Sequence, residues 1–477
     1  MSKKFYITTA IPYVNAAPHI GFALELIQTD AVARYHRQKG DEVFFLTGTD
    51  ENSLKNVLAA EKEGLTVQKF VDRNTKRFIE LGKVLNISNN DFIQTTAKKH
   101  FIGCQKLWQA TKSKDIYKKK YKGLYCVGCE QFYAEKELVD NKCPEHQTKL
   151  QVVEEENYFF RLSAYQDKLK KLIKSDEYQI MPASRKNEVL SFIEMGLEDF
   201  SISRSQARAK NWGVPVPGDQ SQVMYVWYDA LSNYITALDY DRNGKNFKKF
   251  WPADVHIIGK GIIRFHAVYW PVMLLSAGLP LPKKLFVHGY INIAGEKMSK
   301  SLGNVVDPFV LVEKYGSEVV RYYLLRYIHP VQDSDFSLEK LEAAYQADLA
   351  NGLGNLVSRV AGLIEQNKVK IKQDKQDKQD KQFDQIIESF SFDQALKYIW
   401  DKIAALDSLI TTTKPWELAK AGKKAELSKI LNQAANGIFQ ISQLLKPFLP
   451  QTAEKIEKIF TTKQIKKGEP LFPRFEK

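Results

Sequence analysis

Apolar residues near the N-terminus are spaced as in a βαβ unit. Residues 5–10 and 43–47 are short apolar stretches that predict buried strands. Between them, residues 20–38 carry the period of a helix that stops before Gly40. Two strands joined by a helix predict neighbouring parallel strands in an α/β sheet.

The same order of elements returns more than 200 residues later. Residues 255–258 predict a strand, residues 262–276 a helix that ends before Gly278, and residues 285–290 a further strand. We therefore expect a doubly wound, Rossmann-like parallel sheet whose two halves are separated in the sequence.

The region between the two halves, residues 115–225, has turn-rich segments such as residues 214–218 and predicts an inserted domain. Beyond about residue 340 the pattern becomes helical, in residues 341–367, 392–411 and 424–445. These helices predict a C-terminal bundle. The repeated Gln-Asp-Lys tract, residues 373–382, has no apolar residue and predicts an exposed loop between helices.

Composition narrows the possible partners. The 477 residues include 70 Lys and Arg against 56 Asp and Glu, a net charge of +14. This excess favours a polyanionic partner such as nucleic acid, although a solvated basic surface remains an alternative. The N-terminus has no signal-peptide pattern, and no uncharged apolar stretch approaches 18 residues. We therefore expect a cytoplasmic protein without a membrane or DNA partner.

Three of the four cysteines cluster with a histidine. Cys126, Cys129, Cys143 and His146 have the spacing C-x2-C-x13-C-x2-H, which suits one tetrahedral Zn²⁺ held by two tight turns. Four protein ligands leave no position for a catalytic water, so we expect a structural zinc knuckle inside the insertion.

Two short motifs indicate nucleotide binding. His19 begins the sequence HIGF at a predicted helix start, where backbone N–H groups and the helix dipole favour phosphate, and Gly21 lets a ligand approach the backbone. Residues 297–301 spell KMSKS between Gly295 and Gly303. Alone, this would more often be a basic surface turn, but the two motifs together on a split sheet favour an ATP site.

Longer segments carry a family resemblance. Residues 5–21, 44–51, 225–230 and 288–290, together with the KMSKS motif, closely resemble the methionyl-tRNA synthetase family, a class I aminoacyl-tRNA synthetase family. The resemblance covers essentially the whole chain. It implies a Rossmann-like catalytic domain split by a zinc-knuckle insertion and followed by a helical anticodon-binding domain. The predicted bounds are 1–114 and 226–295 for the catalytic domain, 115–225 for the insertion, 296–340 for the KMSKS and stem-contact region, and 341–477 for the anticodon-binding domain.

The spacing of four residues along a predicted helix is compatible with a methionine pocket. Trp227, Ala230, Leu231 and Tyr234 share one helix face, which by itself is more often plain core. The resemblance implies methionine binding by Ile11, Tyr13, Asp50, Trp227, Ala230, Tyr234, Ile262 and His266. Asp50 would bind the ammonium group; as an alternative, it would cap the helix beginning near Asn52.

The resemblance also implies the remaining site residues. His19, Lys297 and Lys300 would be catalytic, and ATP, with Mg²⁺, would be bound by His19, Gly21, Gly259, Lys297, Ser299 and Lys300. Asn355, Arg359 and Trp416 would read the anticodon, since unpaired bases are recognised by stacking and by hydrogen bonds to their edges. In isolation, Trp416 would more often be a core residue.

The implied enzyme joins L-methionine to initiator and elongator tRNA(Met) with ATP. We expect a monomer, because the sequence shows no additional C-terminal dimerisation module. Three positions depart from the family pattern: Phe22 replaces the second histidine of the HIGH motif, Asn52-Ser53 replaces His-Gly, and Gly261 replaces Asp. These changes leave open a catalytically impaired paralogue that binds tRNA without charging it. Another class I synthetase or a cytidylyltransferase is the rival enzyme class.

Overall fold

The computed structural model describes residues 2–128, 130–133, 135–144, 147–297, 306–372 and 380–473. By their contacts, the residues fall into two compact units. The first comprises Met1–Thr29, Gly40–Lys83 and Ile87–His288, and the second comprises Asp30–Lys39, Val84–Asn86 and Gly289–Lys477.

The strands belong to several separate sheets. In chain order they are β1 (Lys4–Thr8), β2 (Glu42–Thr49), β3 (Asp91–Gln94), β4 (Ile116–Cys126), β5 (Gln131–Tyr133), β6 (Gln151–Phe160), β7 (Gln179–Met181), β8 (Phe200–Ser201), β9 (Ser203–Ser205), β10 (Pro215–Val216), β11 (Asp219–Met224), β12 (Val255–Gly259), β13 (Lys284–His288), β14 (Ile291–Ile293), β15 (Glu296–Lys297) and β16 (Ser334–Asp335).

The α-helices lie in both units. In chain order they are α1 (Ile20–Gln38), α2 (Leu54–Lys62), α3 (Val67–Val84), α4 (Lys98–Ala110), α5 (Gln166–Lys174), α6 (Ala183–Glu194), α7 (Val226–Leu231), α8 (Asn233–Thr236), α9 (Lys245–Phe250), α10 (Trp270–Ser276), α11 (Pro308–Tyr315), α12 (Ser317–Arg326), α13 (Leu338–Ala344), α14 (Asn355–Asn367), α15 (Lys381–Glu388), α16 (Phe392–Thr413), α17 (Pro415–Lys420), α18 (Lys424–Leu445) and α19 (Pro450–Thr461). None of the helices in the described ranges has both the length and the apolar character needed to span a bilayer.

The first unit is built on the predicted parallel sheet. Its six strands lie in the order β3-β2-β1-β12-β13-β7, and all pairs are parallel. The chain adds β2 and β3 on one side of β1, and β12 and β13 on the other. The strand order therefore reverses between β1 and β12, and such a switch point opens a crevice at the carboxyl ends of the strands.

Several predicted elements differ from the observed ones, and two of them lie near the predicted site. The first strand ends at Thr8 rather than at residue 10, because the Ala10 N–H donates to the Glu25 carboxylate (2.7 Å) instead of continuing the ladder. The predicted helix over residues 262–276 consists of a 3₁₀ turn (Lys260–Ile262), a π-helical segment (Phe265–Tyr269) and α10. Pro271 lacks an N–H and crowds the preceding turn, which accounts for the wider π geometry.

The region between the sheet halves forms antiparallel sheets of its own. Strands β4 and β6 pair along ten residues, from Ile116 opposite Phe160 to Tyr125 opposite Gln151. They belong to the sheet β5-β4-β6-β8, and a second sheet has the order β10-β11-β9. Strand β7, from the same region, pairs with β13 and forms an edge of the parallel sheet.

The second unit is mainly helical, as the sequence pattern predicts. The helix predicted over residues 341–367 begins at Leu338 and contains a π-helical segment, Tyr345–Gly354, between α13 and α14. Residues 373–379 of the predicted loop lie outside the described residues. Helix α15 begins at Lys381. The preceding residue, Asp380, caps it by accepting a hydrogen bond from the Phe383 N–H (3.2 Å).

A buried arginine joins distant segments of the second unit. Arg321 is 0% exposed, and its guanidinium lies 2.8 Å from the Asp30 carboxylate. It also donates to the carbonyl oxygens of Phe448 (2.8 Å), Pro447 (3.2 Å) and Leu85 (3.3 Å). Arg34 Nε also donates to Asp30, at 2.7 Å. The planar guanidinium thus satisfies acceptors from three parts of the chain at once.

We expect Arg321→Met to lower the free energy of unfolding by about 3 kcal/mol, because it leaves Asp30 and three carbonyl groups buried without this donor. Urea denaturation followed by circular dichroism measures the change. Lys458→Met is the matched control: it breaks an exposed ion pair with Glu454 and should change stability by less than about 0.5 kcal/mol. Similar small losses in both variants would contradict the assigned role of Arg321.

Candidate active site

Several predicted site residues lie at the carboxyl ends of the parallel strands. Asp50 follows β2 directly, Gly259 is the last residue of β12, and His19 immediately precedes α1 after the loop from β1. In a doubly wound sheet this edge, beside the strand-order reversal, is where ligands bind. The fold therefore brings residues from the beginning and the middle of the chain to one crevice.

His19 has a defined orientation at the start of α1. The side chain is exposed, and its Nδ1 accepts a hydrogen bond from the Gly21 N–H at 3.0 Å. Its carbonyl accepts from the Phe22 and Ala23 N–H groups at 3.0 and 3.2 Å. Since Nδ1 is the acceptor, Nε2 is the ring nitrogen that can donate to a ligand.

Phe22 is a core residue of the first unit. It is 7% exposed, and its ring packs edge-on against Phe78 of α3, with the ring centres 5.6 Å apart. The aromatic side chain at this position fills apolar space. Phe22 therefore contributes apolar packing between α1 and α3.

Glu25 ties two strand ends to α1, and sequence reasoning missed it. Its Oε1 accepts from the Ala10 N–H at 2.7 Å, and its Oε2 lies 2.9 Å from His288 Nε2. Ala10 follows β1, and His288 ends β13. A glutamate between Leu24 and Leu26 on a buried helix was the available signal, because a buried carboxylate requires partners.

Asp50 is a buried carboxylate at the corner after β2. It is 2% exposed, and its Oδ1 accepts from the Asn52 N–H at 3.3 Å. Burial raises its pKa well above the usual range, and the nearby acidic groups of Asp229 and Glu130 raise it further. No described residue forms a salt bridge with it. The alternative role as a helix cap is wrong: Ser53 caps α2 by accepting from the Asn56 N–H.

Four of the rings in the same unit lie in contact with one another, and we refer to this cluster as the candidate pocket wall. The Trp227 and Phe265 rings are stacked, with centres 3.6 Å apart and planes at 5°. Tyr13 and His266 approach Trp227 edge-on, at 6.5 and 6.4 Å. Phe265 was missed because its contact with Trp227 joins distant helices, and neither helical pattern alone reveals it.

The other predicted pocket residues lie around these rings. The predicted helix face is interrupted at Ser232, between α7 and α8, and Ala230 and Tyr234 are both buried. The Tyr234 hydroxyl lies 2.7 Å from His266 Nε2, and His266 Nδ1 lies 3.0 Å from the Ile262 carbonyl oxygen. Ile11 and Ile262 are partly buried and pack on the main core cluster of this unit.

Two polar atoms of the pocket wall have no hydrogen-bond partner among the described residues. They are the Tyr13 hydroxyl and the Trp227 indole nitrogen, both buried. Lys55 Nζ lies 4.7 Å from the centre of the Tyr13 ring. Buried polar groups are usually hydrogen-bonded, so these orphan atoms indicate a place for a ligand or ordered water.

A second cluster lies behind Asp50. His100 Nε2 is 2.6 Å from the Asp229 carboxylate and 3.2 Å from Cys104 Sγ, all three side chains being buried. Ligands of a tetrahedral zinc would be about 3.3 Å apart, as follows from bonds of about 2.0 Å. The 2.6 Å contact is therefore a direct hydrogen bond, and the cluster is not arranged around a metal ion.

Part of the predicted zinc knuckle is described. Cys126, at the end of β4, and Cys143 are buried in one small cluster with Tyr133. The backbone turns tightly at Cys143, whose N–H donates to the Thr148 carbonyl (3.0 Å) and whose carbonyl accepts from the Gln147 N–H (2.8 Å). Cys129 and His146 lie outside the described residues.

A cavity of about 780 Å³ lies in the first unit. Its lining includes the rings of Tyr117, Tyr121 and Phe200, and the ion pair between Arg264 and Glu137 (2.9 Å). None of the residues predicted to bind methionine lines it. The cavity therefore does not replace the aromatic pocket as the candidate site.

The KMSKS motif is described only at its first residue. The backbone of Lys297 belongs to β15 and pairs with Asn292 of β14. The Lys297 side chain, Ser299 and Lys300 lie outside the described residues.

The predicted anticodon residues lie on neighbouring helices of the second unit, α14 and α17. Asn355 is exposed at the start of α14, and Trp416, 37% exposed, is on α17. Arg359 is half-buried and forms a 2.8 Å ion pair with Asp407. Trp416 is therefore available at the surface, whereas Arg359 already has an acidic partner.

Comparison with known proteins identifies the family. The family model described as tRNA synthetases class I (M) matches residues 5–153 and 146–361. The chain is 45% identical to the methionine–tRNA ligase of Brucella suis over 95% of its length and 91% of the relative's. It is 43% identical to that of Thermotoga maritima, over 95% and 74% of the two lengths.

The solved structures agree with the sequence relatives. The structure of Mycobacterium tuberculosis methionyl-tRNA synthetase in complex with methionyl-adenylate is 37% identical, with a TM-score of 0.93 over 99% of this chain and 100% of that one. Sequence and structure match along almost the whole length. The chain belongs to the methionyl-tRNA synthetase family of class I tRNA synthetases.

Proposed function

We propose that this chain is an ATP-dependent methionine–tRNA ligase. In the first step, a methionine carboxylate oxygen attacks the ATP α-phosphorus, the bond to the β-phosphate breaks, and diphosphate leaves. In the second, a ribose hydroxyl of the terminal adenosine of tRNA attacks the methionyl carbonyl carbon, and AMP leaves. Both steps transfer groups between substrates, so the protein contributes mainly positioning and charge stabilisation.

The observation that carries this proposal is the buried Asp50 carboxylate without a salt bridge among the described residues. A substrate ammonium would supply the missing positive charge through a charge-assisted hydrogen bond. Tyr13 Oη and Trp227 Nε1 are unpartnered polar atoms in the same wall. A pocket with one carboxylate and several rings suits an ammonium group and a polarizable thioether.

The methionine site then comprises Ile11, Tyr13, Asp50, Trp227, Ala230, Tyr234, Ile262 and His266. Phe265, stacked on Trp227, extends this wall. The exposed His19 side chain, with Nε2 free to donate at the positive end of the α1 dipole, is suited to the phosphates of ATP. We infer further ATP contacts from Gly21, Gly259, Lys297, Ser299 and Lys300, with His19 and the two lysines stabilising developing charge and Mg²⁺ neutralising the phosphates.

We infer that the second unit reads the anticodon of initiator and elongator tRNA(Met). Trp416 offers an exposed ring for stacking, and Asn355 and Arg359 lie on the neighbouring helix. Arg359 would exchange its ion pair with Asp407 for a base edge. The predicted domain bounds stay as proposed, with a monomer in the cytoplasm as the working form.

The alternative of an impaired paralogue has little support. Phe22 is a packed core residue against Phe78, so its presence is no sign of a damaged nucleotide site. Asn52 and Ser53 each make defined hydrogen bonds. The identity of 41–45% with methionine–tRNA ligases also favours the charging enzyme.

For the knuckle, we propose one structural Zn²⁺ held by Cys126, Cys129, Cys143 and His146. Its support is the chemistry of the donors and the joint burial of Cys126 and Cys143. Such an ion would stabilise the end of the β4–β5 hairpin, where little apolar surface is available. No step of the reaction requires it.

Asp50→Asn tests the methionine site. The variant keeps the size of the side chain but loses its charge, so we expect the KM for methionine in ATP–diphosphate exchange to rise roughly 100-fold. The KM for ATP should change less than about twofold. Asp167→Asn, an exposed position of the same unit, is the control. An unchanged KM for methionine in Asp50→Asn would refute the assignment.

His266 gives a prediction about pH. Burial lowers the pKa of His266 to about 4, so the folded protein excludes a proton that the unfolded chain binds below about pH 6.5. Stability should therefore fall as pH decreases from 6.5 towards 4. Between pH 7 and pH 5, the free energy of unfolding of the wild type should fall by about 2 kcal/mol more than that of His266→Gln.

Urea denaturation of both proteins at the two pH values measures this difference. Glutamine retains one donor and one acceptor for Ile262 and Tyr234 but does not titrate. The nearby His256 is present in both proteins, and its pKa is lowered mainly by burial and to a smaller extent by His266. An equal loss of unfolding free energy in the two proteins would mean that His266 has the same pKa in the folded and the unfolded state, which would contradict the prediction.

The metal proposal is tested by elemental analysis of the purified protein. We expect about one zinc per chain, as four ligands define one tetrahedral site. Cys126→Ser and Cys143→Ser should lose the metal and lower the melting temperature. Cys104→Ala, which changes the cysteine outside the motif, should retain it. Full zinc content in both motif variants would contradict the site.

A further inference from the structure

A chain of buried polar side chains connects α8 with the corner that carries Asp50. It consists of Thr236, His100, Asp229 and Asn52, which come from three separate parts of the sequence. All four are buried, the first three completely. We refer to these residues as the buried polar chain.

Each link of the buried polar chain is short. His100 Nδ1 lies 2.7 Å from Thr236 Oγ1, and His100 Nε2 lies 2.6 Å from Asp229 Oδ1. Asn52 Nδ2 donates to the other Asp229 oxygen at 2.8 Å and to the Thr95 carbonyl at 2.9 Å. Both partners of the Asn52 amide are acceptors, which fixes the nitrogen at this position.

Close packing of α4 against α8 makes the buried polar chain possible. Gly103 of α4 lies against Thr236, and a Cβ added there would be 2.4 Å from Thr236 Cγ2. The missing side chain lets α4 approach α8, so that His100, one turn earlier on α4, reaches both Thr236 and Asp229. A larger residue at position 103 would separate the two helices.

We propose that Asn52, Asp229 and His100 are positioning residues for methionine recognition, acting by holding Asp50 in place. The Asn52 N–H donates to Asp50 Oδ1 at 3.3 Å, and the Asn52 side chain is anchored by Asp229 and Thr95. Asp229 also lies between Trp227 and Ala230 on α7. One carboxylate thus anchors both the Asp50 corner and the helix bearing the pocket tryptophan.

The expected consequence concerns substrate affinity. A carboxylate held in one orientation loses less conformational freedom when it binds an ammonium group. Loosening its support weakens the ground-state and transition-state contacts to methionine alike, which raises the KM for methionine and leaves kcat nearly unchanged. In the proposed site ATP binds through other groups, so the KM for ATP should not rise with the KM for methionine.

The test compares variants of the full-length enzyme in methionine-dependent ATP–diphosphate exchange. Asn52→Ala and Asp229→Leu should each raise the KM for methionine about tenfold, with kcat and the KM for ATP within about twofold. Asp229→Asn should remain within about threefold of wild type. Its amide can accept from Asn52 and donate to His100 Nε2 if the imidazole proton moves to Nδ1.

The double variant Asn52→Ala/Asp229→Leu provides a further readout. If the residues act as one chain, the double variant should be no worse than the poorer single variant, whereas independent effects would multiply to about 100-fold. Cys104 lies beside His100 but is not part of the buried polar chain, so Cys104→Ala should have a normal KM for methionine. Melting temperatures identify variants that fail to fold; in that event Asn52→Ala and Asp229→Asn still provide the test.

The proposal rests on the assigned role of Asp50, and the two can fail separately. If Asp50→Asn raises the KM for methionine but Asn52→Ala does not, only the buried polar chain is refuted. If Asp50→Asn has no effect, the methionine site itself is wrong. A fall in kcat with an unchanged KM for methionine would assign the buried polar chain a general structural role. If Asp229→Asn behaved like Asp229→Leu, the effect would arise from the charge of Asp229. Either result would overturn the proposal.

Discussion

The site depends on a carboxylate held out of water. Asp50 follows a buried strand, its pKa is raised by burial and by neighbouring acids, and no described residue forms a salt bridge with it. An isolated ionised group in such surroundings is unfavourable unless it is paired. The free site is therefore electrostatically incomplete, and in the proposed methionine site a substrate ammonium would complete it. The same constraint would discriminate against ligands without an amino group, because they would leave the carboxylate unpaired.

The sheet topology explains how so small a corner can be defined by residues far apart in sequence. Parallel strands bring their carboxyl ends to one edge, and the strand order reverses between β1 and β12. Glu25 connects the ends of β1 and β13 through Ala10 and His288. The crevice is thus fixed by hydrogen bonds between strand ends in addition to the apolar core beneath it.

Sequence patterns predicted the elements that depend on local spacing. The parallel sheet, α1 and the C-terminal helices follow from apolar periods, and the family motifs supplied the predicted site residues. Phe265, Glu25 and His100 were missed, because each acts through a partner more than ten residues away. The π-helical turn at His266 was also missed, since a period of 3.6 residues cannot reveal a local widening that follows from Pro271 and packing.

Two of the three departures from the family pattern, at Phe22 and at Asn52-Ser53, are accommodated by the fold in different ways. Phe22 exchanges a polar position for apolar packing against Phe78, so no buried polar group is left unsatisfied there. Ser53 caps α2, and Asn52 joins the buried polar chain. The amide of asparagine at position 52 donates hydrogen bonds at any pH near neutrality. The number of N–H donors on the histidine usual in the family pattern would instead depend on its protonation. The contact between Asn52 Nδ2 and Asp229 is consequently independent of any protonation of residue 52, because an amide does not titrate.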